Sequence, residues 1–309
     1  MHSIEVSLKG KWVAVPAVTV DGNLLAITGK RIRIAAVKDE EWLETELVDP
    51  ERCISELKQE GYPIADVFTF MQKPPVAHPK YRYPLERVSV AVAQFRDFKT
   101  WWGKLPQETR KNVRRAEKRD VIIQVTPFGE ELIRGIAEVQ NETPVRQGRR
   151  YPHYGKTLEE VRRDHYGFVD RSDFITAHWH NEFVGFLKLV YRGQLASVLQ
   201  LNAKMSHYDK RPSNALLAKA VQLCDAKRIS FLTYGKFNYG NKAGCSLTEF
   251  KTRNGFQEVL VPRYYVPLTG LGAFYTKLGL YRGLLGILPG RVITAGLKAR
   301  SAWYSLKTS

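Results

Sequence analysis

Between Asp173 and Pro267 the chain alternates apolar runs with polar breaks, and the spacing of the runs changes in a regular order. Two β-branched and aromatic runs separated by His180 and Asn181 predict a hairpin, and a third such run follows Gly193. The next segment, residues 202–214, is polar and basic. The pattern therefore predicts three strands that lead into a basic loop.

The rest of this stretch predicts helices alternating with strands. Apolar residues at helical spacing indicate a helix over residues 215–228, opened by Pro212 with Ser213 or Asn214 as its N-cap. A buried strand, a helix and a last strand follow over residues 229–235, 246–256 and 257–268. The unpaired N–H groups and the dipole at the start of the first helix favour binding of a phosphate or another anion.

The first hundred residues predict a small β-rich part. Short β-like runs alternate with turns at Asp21–Gly22 and Thr28–Gly29, and a helix over 51–61 and a strand over 67–71 follow. The proline-rich stretch 73–84 predicts an ordered connection, because proline fixes φ and resists helix and sheet interiors.

Length and hydrophobic content predict a substantial core in about two domains. The chain has 309 residues and 44% hydrophobic residues. We predict a β-rich part over residues 1–120 that ends in a basic helix, a second domain over 121–268, and a basic amphipathic segment over 269–309.

The cysteines and the N-terminus favour a cytoplasmic location. Peripheral attachment to the inner face of the membrane is compatible with it. Cys53, Cys224 and Cys245 are too few and too scattered for a disulfide framework or a zinc site. The N-terminus lacks the apolar run of a signal peptide, and no segment approaches the ~20 apolar residues of a membrane span.

The net charge of +17 predicts anionic partners, such as nucleic acid, anionic lipid headgroups or phosphorylated substrates. The part from Val259 onward carries seven Lys or Arg residues and no Asp or Glu. Two alternatives fit its mixture of basic, aromatic and aliphatic residues. It lies in a bilayer interface without spanning it, or it forms a pair of short helices packed against the core.

The order of predicted elements resembles the GNAT superfamily of N-acyltransferases, and more narrowly its FemAB-like branch. That branch includes aminoacyl transferases that use charged tRNA and acyltransferases linked to cell-surface glycans. Three patterns carry the narrower resemblance: the basic helix and strand from Arg110, the helix and strand from Arg211 to Gly235, and the pair Phe250 and Lys251. The resemblance implies an α/β (α+β) GNAT fold with a mixed central sheet, preceded by a reduced or degenerate second GNAT-like domain.

The chain departs from the family pattern at two places. A typical GNAT phosphate loop contains glycines, yet no glycine occurs between Gly193 and Gly235, which leaves coenzyme A binding open. Many FemAB-like proteins have an acidic residue two positions before the glycine that ends the fifth strand, where this chain has Thr233. A carboxylate base is therefore absent at that position.

The resemblance also implies a set of site residues. Lys251 is the candidate cation near the reacting ester, with an exposed helix lysine as the alternative, and Tyr234 is the candidate proton relay, as are His178, His180 and His207. The candidate donor-binding residues are Lys210, Arg211, Ser213, Asn214 and Phe250. The candidate acceptor-binding residues are Arg146, Arg149, Arg150, Tyr151, His153 and Tyr154, with a solvated basic loop as the alternative. The guanidinium groups of the three arginines suit bidentate phosphate contacts.

These residues predict an N-acyltransferase or aminoacyltransferase with no tightly bound cofactor and no metal. Its co-substrate is acyl-CoA, acyl carrier protein or aminoacyl-tRNA, and its acceptor is an amine on a phosphorylated, nucleotide-linked or lipid-linked cell-envelope precursor. The alternative is a nucleic-acid-binding protein on a degenerate transferase scaffold, to which the basic helix over 110–119 contributes. We favour the enzyme, because the aromatic residues cluster near core elements and do not interleave with the basic run.

Overall fold

The computed structural model describes residues 2–8, 11–41, 46–59, 64–146, 149–238 and 246–282. The strands are β1 His2–Leu8, β2 Lys11–Val20, β3 Asn23–Thr28, β4 Ile34–Val37, β5 Val67–Met71, β6 Leu85–Gln94, β7 Val121–Thr126, β8 Val145–Arg146, β9 Arg149–Arg150, β10 Ser172–Trp179, β11 Glu182–Arg192, β12 Leu195–Ala203, β13 Phe231–Thr233 and β14 Gln257–Pro267. The α-helices are α1 Pro50–Gln59, α2 Phe98–Lys104, α3 Gln107–Lys118, α4 Glu130–Asn141, α5 Leu158–Tyr166, α6 Pro212–Ala226, α7 Ser246–Arg253 and α8 Gly270–Lys277. Short 3₁₀ helices span Val169–Arg171, Met205–Lys210 and Leu280–Arg282.

Twelve of these strands form one mixed sheet in the order β1-β2-β3-β4-β5-β14-β6-β13-β12-β11-β10-β7. Its two ends repeat one topology. Strands β1 to β4 pair antiparallel and β4 pairs parallel with β5, just as β7, β10, β11 and β12 pair antiparallel and β12 pairs parallel with β13. Helix α1 connects the first parallel pair and α6 the second. The predicted GNAT fold with a reduced second copy is confirmed.

The N-terminal copy is reduced because only residues 9 and 10 separate β1 from β2 in the sequence, whereas helices α4 and α5 separate β7 from β10. The two copies also exchange strands in the middle of the sheet. Strand β14 lies between β5 and β6, and β6 lies between β14 and β13. Because β6 and β14 each pair with a strand of the other copy, the division at residues 120 and 268 stays a prediction.

Helix α6 holds the second copy together. Its side chains Leu216, Leu217 and Val221 are completely buried, and they belong to the same apolar cluster as Leu187 and Leu189 of β11. Full burial of an aliphatic side chain contributes about 1.5–3 kcal/mol. This packing fixes the start of α6 next to the end of β12.

The first hairpin of the sheet contacts the opposite end of the fold. The indole Nε1 of Trp12 donates to Asp164 Oδ1 at 3.0 Å, and the Arg163 guanidinium lies 4.8 Å from the Trp12 ring centroid. Arg163 also pairs with Glu5 at 2.5 Å. The sheet therefore curls so that β1 and β2 lie against α5.

Most predicted elements lie where the sequence places them. The hairpin turns at His180 and Asn181, which both have positive φ. Helix α6 begins at Pro212, but the predicted N-cap at Ser213 or Asn214 is wrong, because the cap is Arg211 with φ 61° and without a side-chain cap bond. No helix within the described residues is both long and apolar enough to cross a membrane.

Candidate active site

Strands β12 and β13 diverge beside the start of α6. They pair only from Leu195 to Ser197 and from Phe231 to Thr233, whereas β12 continues to Ala203. A cavity of about 660 Å³ lies beyond the divergence. Ligand pockets of proteins commonly have volumes of about 300–1,000 Å³.

Five segments line this cavity. They are the end of β12, the 3₁₀ helix after it, the start of α6, the end of β13 with α7, and the small hairpin of β8 and β9. The lining residues are Leu201–Ala203, Met205, Tyr208, Arg211–Asn214, Tyr234, Ser246, Leu247, Phe250, Arg146 and Arg150–Pro152.

The main chain at the end of β12 faces the cavity. The N–H group of Lys204 donates to the carbonyl of Val184 on β11 at 2.8 Å. Because bonding to one neighbour alternates along an antiparallel strand, the main-chain groups of Ala203 and Leu201 point away from β11. The Arg146 guanidinium reaches the Ala203 carbonyl from that side at 3.2 Å. The N–H group of Leu201 is thus directed to the side where β13 has ended.

The loop between β12 and α6 is closed by a carboxylate. Glu142, just after α4, accepts hydrogen bonds from Met205 N at 2.6 Å, Ser206 N at 2.9 Å and Ser206 Oγ at 2.7 Å. Burial acts to raise the pKa of Glu142, but the bonds from Ser206 and Met205 outweigh it and lower the pKa. The amides of Met205 and Ser206 in this loop are therefore already bound to the Glu142 carboxylate.

Arg146, a predicted acceptor contact, ties three segments together. Its guanidinium donates to Val139 O on α4 at 2.6 Å and to Ala203 O on β12, and it pairs with Glu142 at 3.5 Å. It also stacks on the Tyr151 ring at 4.5 Å, and only 11% of its side chain is exposed. Arg146 lines the cavity, but most of its donors are engaged within the protein.

Only some of the other predicted acceptor residues line the cavity. Arg150 and Tyr151 line the cavity, and burial raises the pKa of Tyr151 to about 12. His153 does not line it, and burial lowers the pKa of its ring. Tyr154 is exposed and does not line the cavity, and Arg149 lies in β9 with its side chain outside the described residues.

Four of the five predicted donor residues meet at the cavity: Arg211, Ser213, Asn214 and Phe250. Lys210 does not line it. The Lys210 ammonium lies 4.3 Å from the Trp179 ring centroid and 3.4 Å from Asp209 Oδ1. The side chains of Lys210 and Arg211 therefore lie in different places, and the backbone of Arg211 is left-handed with φ 61°.

Lys251 lies behind the cavity wall. Its side chain is completely buried, its ammonium donates to Lys236 O at 2.7 Å, and it sits 4.5 Å from the ring centroid of Tyr234. The alternative of an exposed helix lysine is therefore wrong. Tyr234 itself lines the cavity, so a buried cation supports the ring of a cavity residue.

The equivalent divergence in the N-terminal copy is filled. Strands β4 and β5 pair only from Ile34 to Ala36, and beyond them Glu40 accepts a hydrogen bond from Met71 N at 2.5 Å. Arg263 pairs with Glu40 at 3.5 Å. Only 3% of Glu40 is exposed, and burial raises the pKa of its carboxyl group. A side chain thus occupies the gap that is open in the second copy.

The histidines considered as relays have local partners. His178 Nε2 lies 3.1 Å from Thr176 Oγ1, and His207 Nε2 lies 3.3 Å from Glu182. His180 contacts the ring of Trp179. Among the described residues, no group of three or more His, Cys, Asp or Glu side chains is placed to hold a metal ion.

Helix α3 presents its basic side chains beside the cavity elements. It packs on α6 and on the 3₁₀ helix after β12. Lys111, Arg114 and Lys118 are exposed, and Arg119 pairs with Asp209 at 2.6 Å. A positively charged surface therefore adjoins the start of α6.

No protein-family model and no curated protein matches the sequence. Solved structures match the fold. FemX has a TM-score of 0.57 at 10% identity and covers 90% of each chain. L-PGS from Bacillus licheniformis has a TM-score of 0.54 at 15% identity, over 85% of this chain and 88% of that one. The C-terminal domain of a lysylphosphatidylglycerol synthetase from Agrobacterium fabrum has a TM-score of 0.53 at 12% identity, over 88% and 90%.

Proposed function

We propose an aminoacyltransferase that moves an aminoacyl group from charged tRNA to an amine. Two features support it: the FemX-like tandem GNAT fold, and the gap between β12 and β13, which is open in the second copy and occupied by Glu40 at the equivalent place in the N-terminal copy. The acceptor amine belongs to a phosphorylated molecule, including a nucleotide- or lipid-linked cell-envelope precursor. The observation that carries the proposal is the cavity where β12 and β13 diverge. The strand alternation places the N–H group of Leu201 on this side of β12, away from β11.

The loop after β12 favours a tRNA ester over coenzyme A as the donor. A pyrophosphate bound at this loop would need its main-chain amides, and Glu142 already accepts from Met205 N and Ser206 N. A second anion there would meet the Glu142 carboxylate at close range, which is unfavourable in a partly buried place. The loop also lacks the glycines that permit close approach of a phosphate.

Charge near the cavity suits an RNA donor. Arg211 is exposed at the rim, and the exposed basic side chains of α3 lie beside α6. Lys and Arg side chains that follow a phosphate backbone bind it with little sequence preference and with strong salt dependence. The cavity would then receive only the aminoacylated end of the RNA.

The transfer reaction has three parts, and the site must support each of them. The neutral amine attacks the ester carbonyl, the carbonyl oxygen gains negative charge, and the bond from the carbonyl carbon to the ribose oxygen breaks. The N–H group of Leu201 is our candidate donor to the developing oxyanion. The proton that leaves the amine ends on the ribose hydroxyl, and the Tyr234 hydroxyl is our candidate relay. Positioning of the two substrates supplies much of the remaining rate enhancement.

A thermal-shift series tests the donor class. The protein is titrated with charged tRNA, uncharged tRNA, a coenzyme A thioester and a nucleotide-activated amino sugar. A ligand at a hundredfold excess over its dissociation constant stabilises the folded state by about 2.7 kcal/mol. The proposal expects stabilisation by tRNA and by the amino sugar. Stabilisation by the thioester alone would instead indicate an acyl-CoA transferase, and binding of tRNA without any transfer would support the nucleic-acid-binding alternative.

A further inference from the structure

Helix α8 presents an apolar stripe to solvent. Leu271, Phe274 and Leu278 are spaced three and four residues apart, which places them on one face of the helix. They are 48%, 60% and 50% exposed. A helix that packs on a protein core normally turns its large apolar side chains toward that core. Three such side chains exposed next to one another are therefore unusual.

The stripe is held rigidly in this orientation. Gly272 faces the protein, where an added Cβ would lie 1.8 Å from the carbonyl oxygen of Asp66. Thr269 caps the helix by accepting from Gly272 N at 3.1 Å, and its hydroxyl donates to Asp66 Oδ1 at 3.0 Å. Thr276 is buried on the same inner face. Rotation of α8 to bury the stripe would therefore break its close contact with Asp66.

The charged residues that neighbour the stripe in the sequence are all Lys or Arg. Lys277 lies in the last turn of α8 and Arg282 follows, and both are exposed. No Asp or Glu occurs from Val259 to the end of the sequence, and residues 283–309 add further Leu, Ile, Trp, Lys and Arg residues. An exposed apolar helix face followed by cations matches the interface of an anionic bilayer, where the acyl region takes the apolar side chains and the headgroups take the cations.

We propose that the α8 stripe of Leu271, Phe274 and Leu278, with Lys277 and Arg282, is a docking surface for an anionic lipid membrane. The protein then binds at the surface of the bilayer without crossing it. The proposal goes beyond the transfer reaction and does not depend on it. Attachment at this surface would bring the cavity to lipid-linked molecules.

Vesicle co-sedimentation of the full chain tests this surface. The probes are liposomes of phosphatidylcholine alone and of phosphatidylcholine with phosphatidylglycerol. The triple substitution Leu271→Ser, Phe274→Ser and Leu278→Ser removes the stripe, and K277E with R282E reverses the charge. Ile122→Ser is the matched control, because Ile122 is also an apolar side chain, 62% exposed, on the distant edge strand β7.

The proposal expects the parent chain and Ile122→Ser to bind phosphatidylglycerol vesicles, and to bind neutral vesicles at least tenfold less. Both stripe and charge variants should lose at least tenfold in binding while keeping the melting temperature of the parent. The proposal is overturned if the parent ignores anionic vesicles at low salt. It is equally overturned if the triple variant binds like the parent. A lower melting temperature of the triple variant also overturns it, since residues 283–309 would then cover the stripe, and so does a dimeric parent whose triple variant is monomeric, since a second copy would then cover it.

Discussion

Glu142 accepts two hydrogen bonds from Ser206, one from its main-chain N–H group at 2.9 Å and one from its hydroxyl at 2.7 Å. Together with the pair between Glu142 and Arg146, these bonds connect the end of α4 to the loop that lines the cavity. Glu142 thus holds the loop in position and occupies the main-chain amides of Met205 and Ser206.

Replacing Glu142 with Ala should destabilise the protein by about 1–3 kcal/mol, because the amides of Met205 and Ser206 lose a charged acceptor. Chemical unfolding in urea measures the change. Glu138→Ala is the control, since the Glu138 side chain is 59% exposed and pairs with Lys204 only at 3.5 Å. That pair should contribute less than about 1 kcal/mol. Equal effects of the two substitutions would contradict a structural role for Glu142.

Arg211 and Lys210 should contribute unequally to donor binding. Arg211 lines the cavity, whereas the Lys210 ammonium is engaged by Trp179 and Asp209. Arg211→Ala should therefore weaken tRNA binding and reduce its salt dependence, while Lys210→Ala leaves both nearly as in the parent. Filter binding at several salt concentrations checks both variants. A larger loss in Lys210→Ala would place the RNA on the other side of the 3₁₀ helix.

The catalytic role of Lys251 stays a prediction, and its burial changes the experiment. Lys251→Met keeps most of the volume but removes the ammonium that holds the Lys236 carbonyl and supports Tyr234. We expect turnover to fall by tenfold or more while the Michaelis constants change less than threefold, because the reacting state depends on Tyr234. Steady-state kinetics of a variant with confirmed secondary structure gives this split. Unchanged turnover removes Lys251 from the mechanism.

His165 should make the protein sensitive to acid. Burial, and next the nearby Lys188, lower the pKa of His165 to about 3, whereas an unfolded histidine titrates near 6.5. Between these values the unfolded state binds more protons, so stability is lost as the pH falls from about 6.5 to about 3. The slope approaches ~1.4 kcal/mol per pH unit. Urea unfolding at pH 7, 6, 5 and 4 should show a shallower slope for His165→Asn, and parallel slopes would argue against a neutral buried ring.

Local patterns predicted most elements of the second copy, because hairpins, caps and helical spacing are short-range signals. The turn at His180 and Asn181 and the start of α6 at Pro212 are examples. The exchange of β6 and β14 between the two copies could not be predicted from such short-range patterns. Their neighbours are chosen by packing between segments far apart in sequence, and an apolar run does not specify its partner strand.

The site was predicted in part for the same reason. Residues carried by α6 and α7, such as Ser213 and Phe250, follow the order of elements and meet at the cavity. The burial of Lys251 could not be predicted in this way, because its charge favours solvent and only the fold supplies the Lys236 carbonyl that permits burial. Glu142 was missed, since nothing in its own segment indicates that it accepts bonds from a loop 63 residues later.

The most direct test of the central claim is a transfer assay with tRNA charged with radiolabelled amino acids. The protein is mixed with this donor and with nucleotide- or lipid-linked amines, and each product is treated with mild base, which cleaves the tRNA ester but leaves an amide intact. Leu247→Trp, which should fill the cavity without altering the basic surface of α3, is the control. We predict base-stable label on an acceptor with the parent protein and none with Leu247→Trp, although the variant still binds tRNA. If all label stays base-labile with every amine, or if only a coenzyme A thioester yields amide, the account of this cavity as an aminoacyl-transfer site is contradicted.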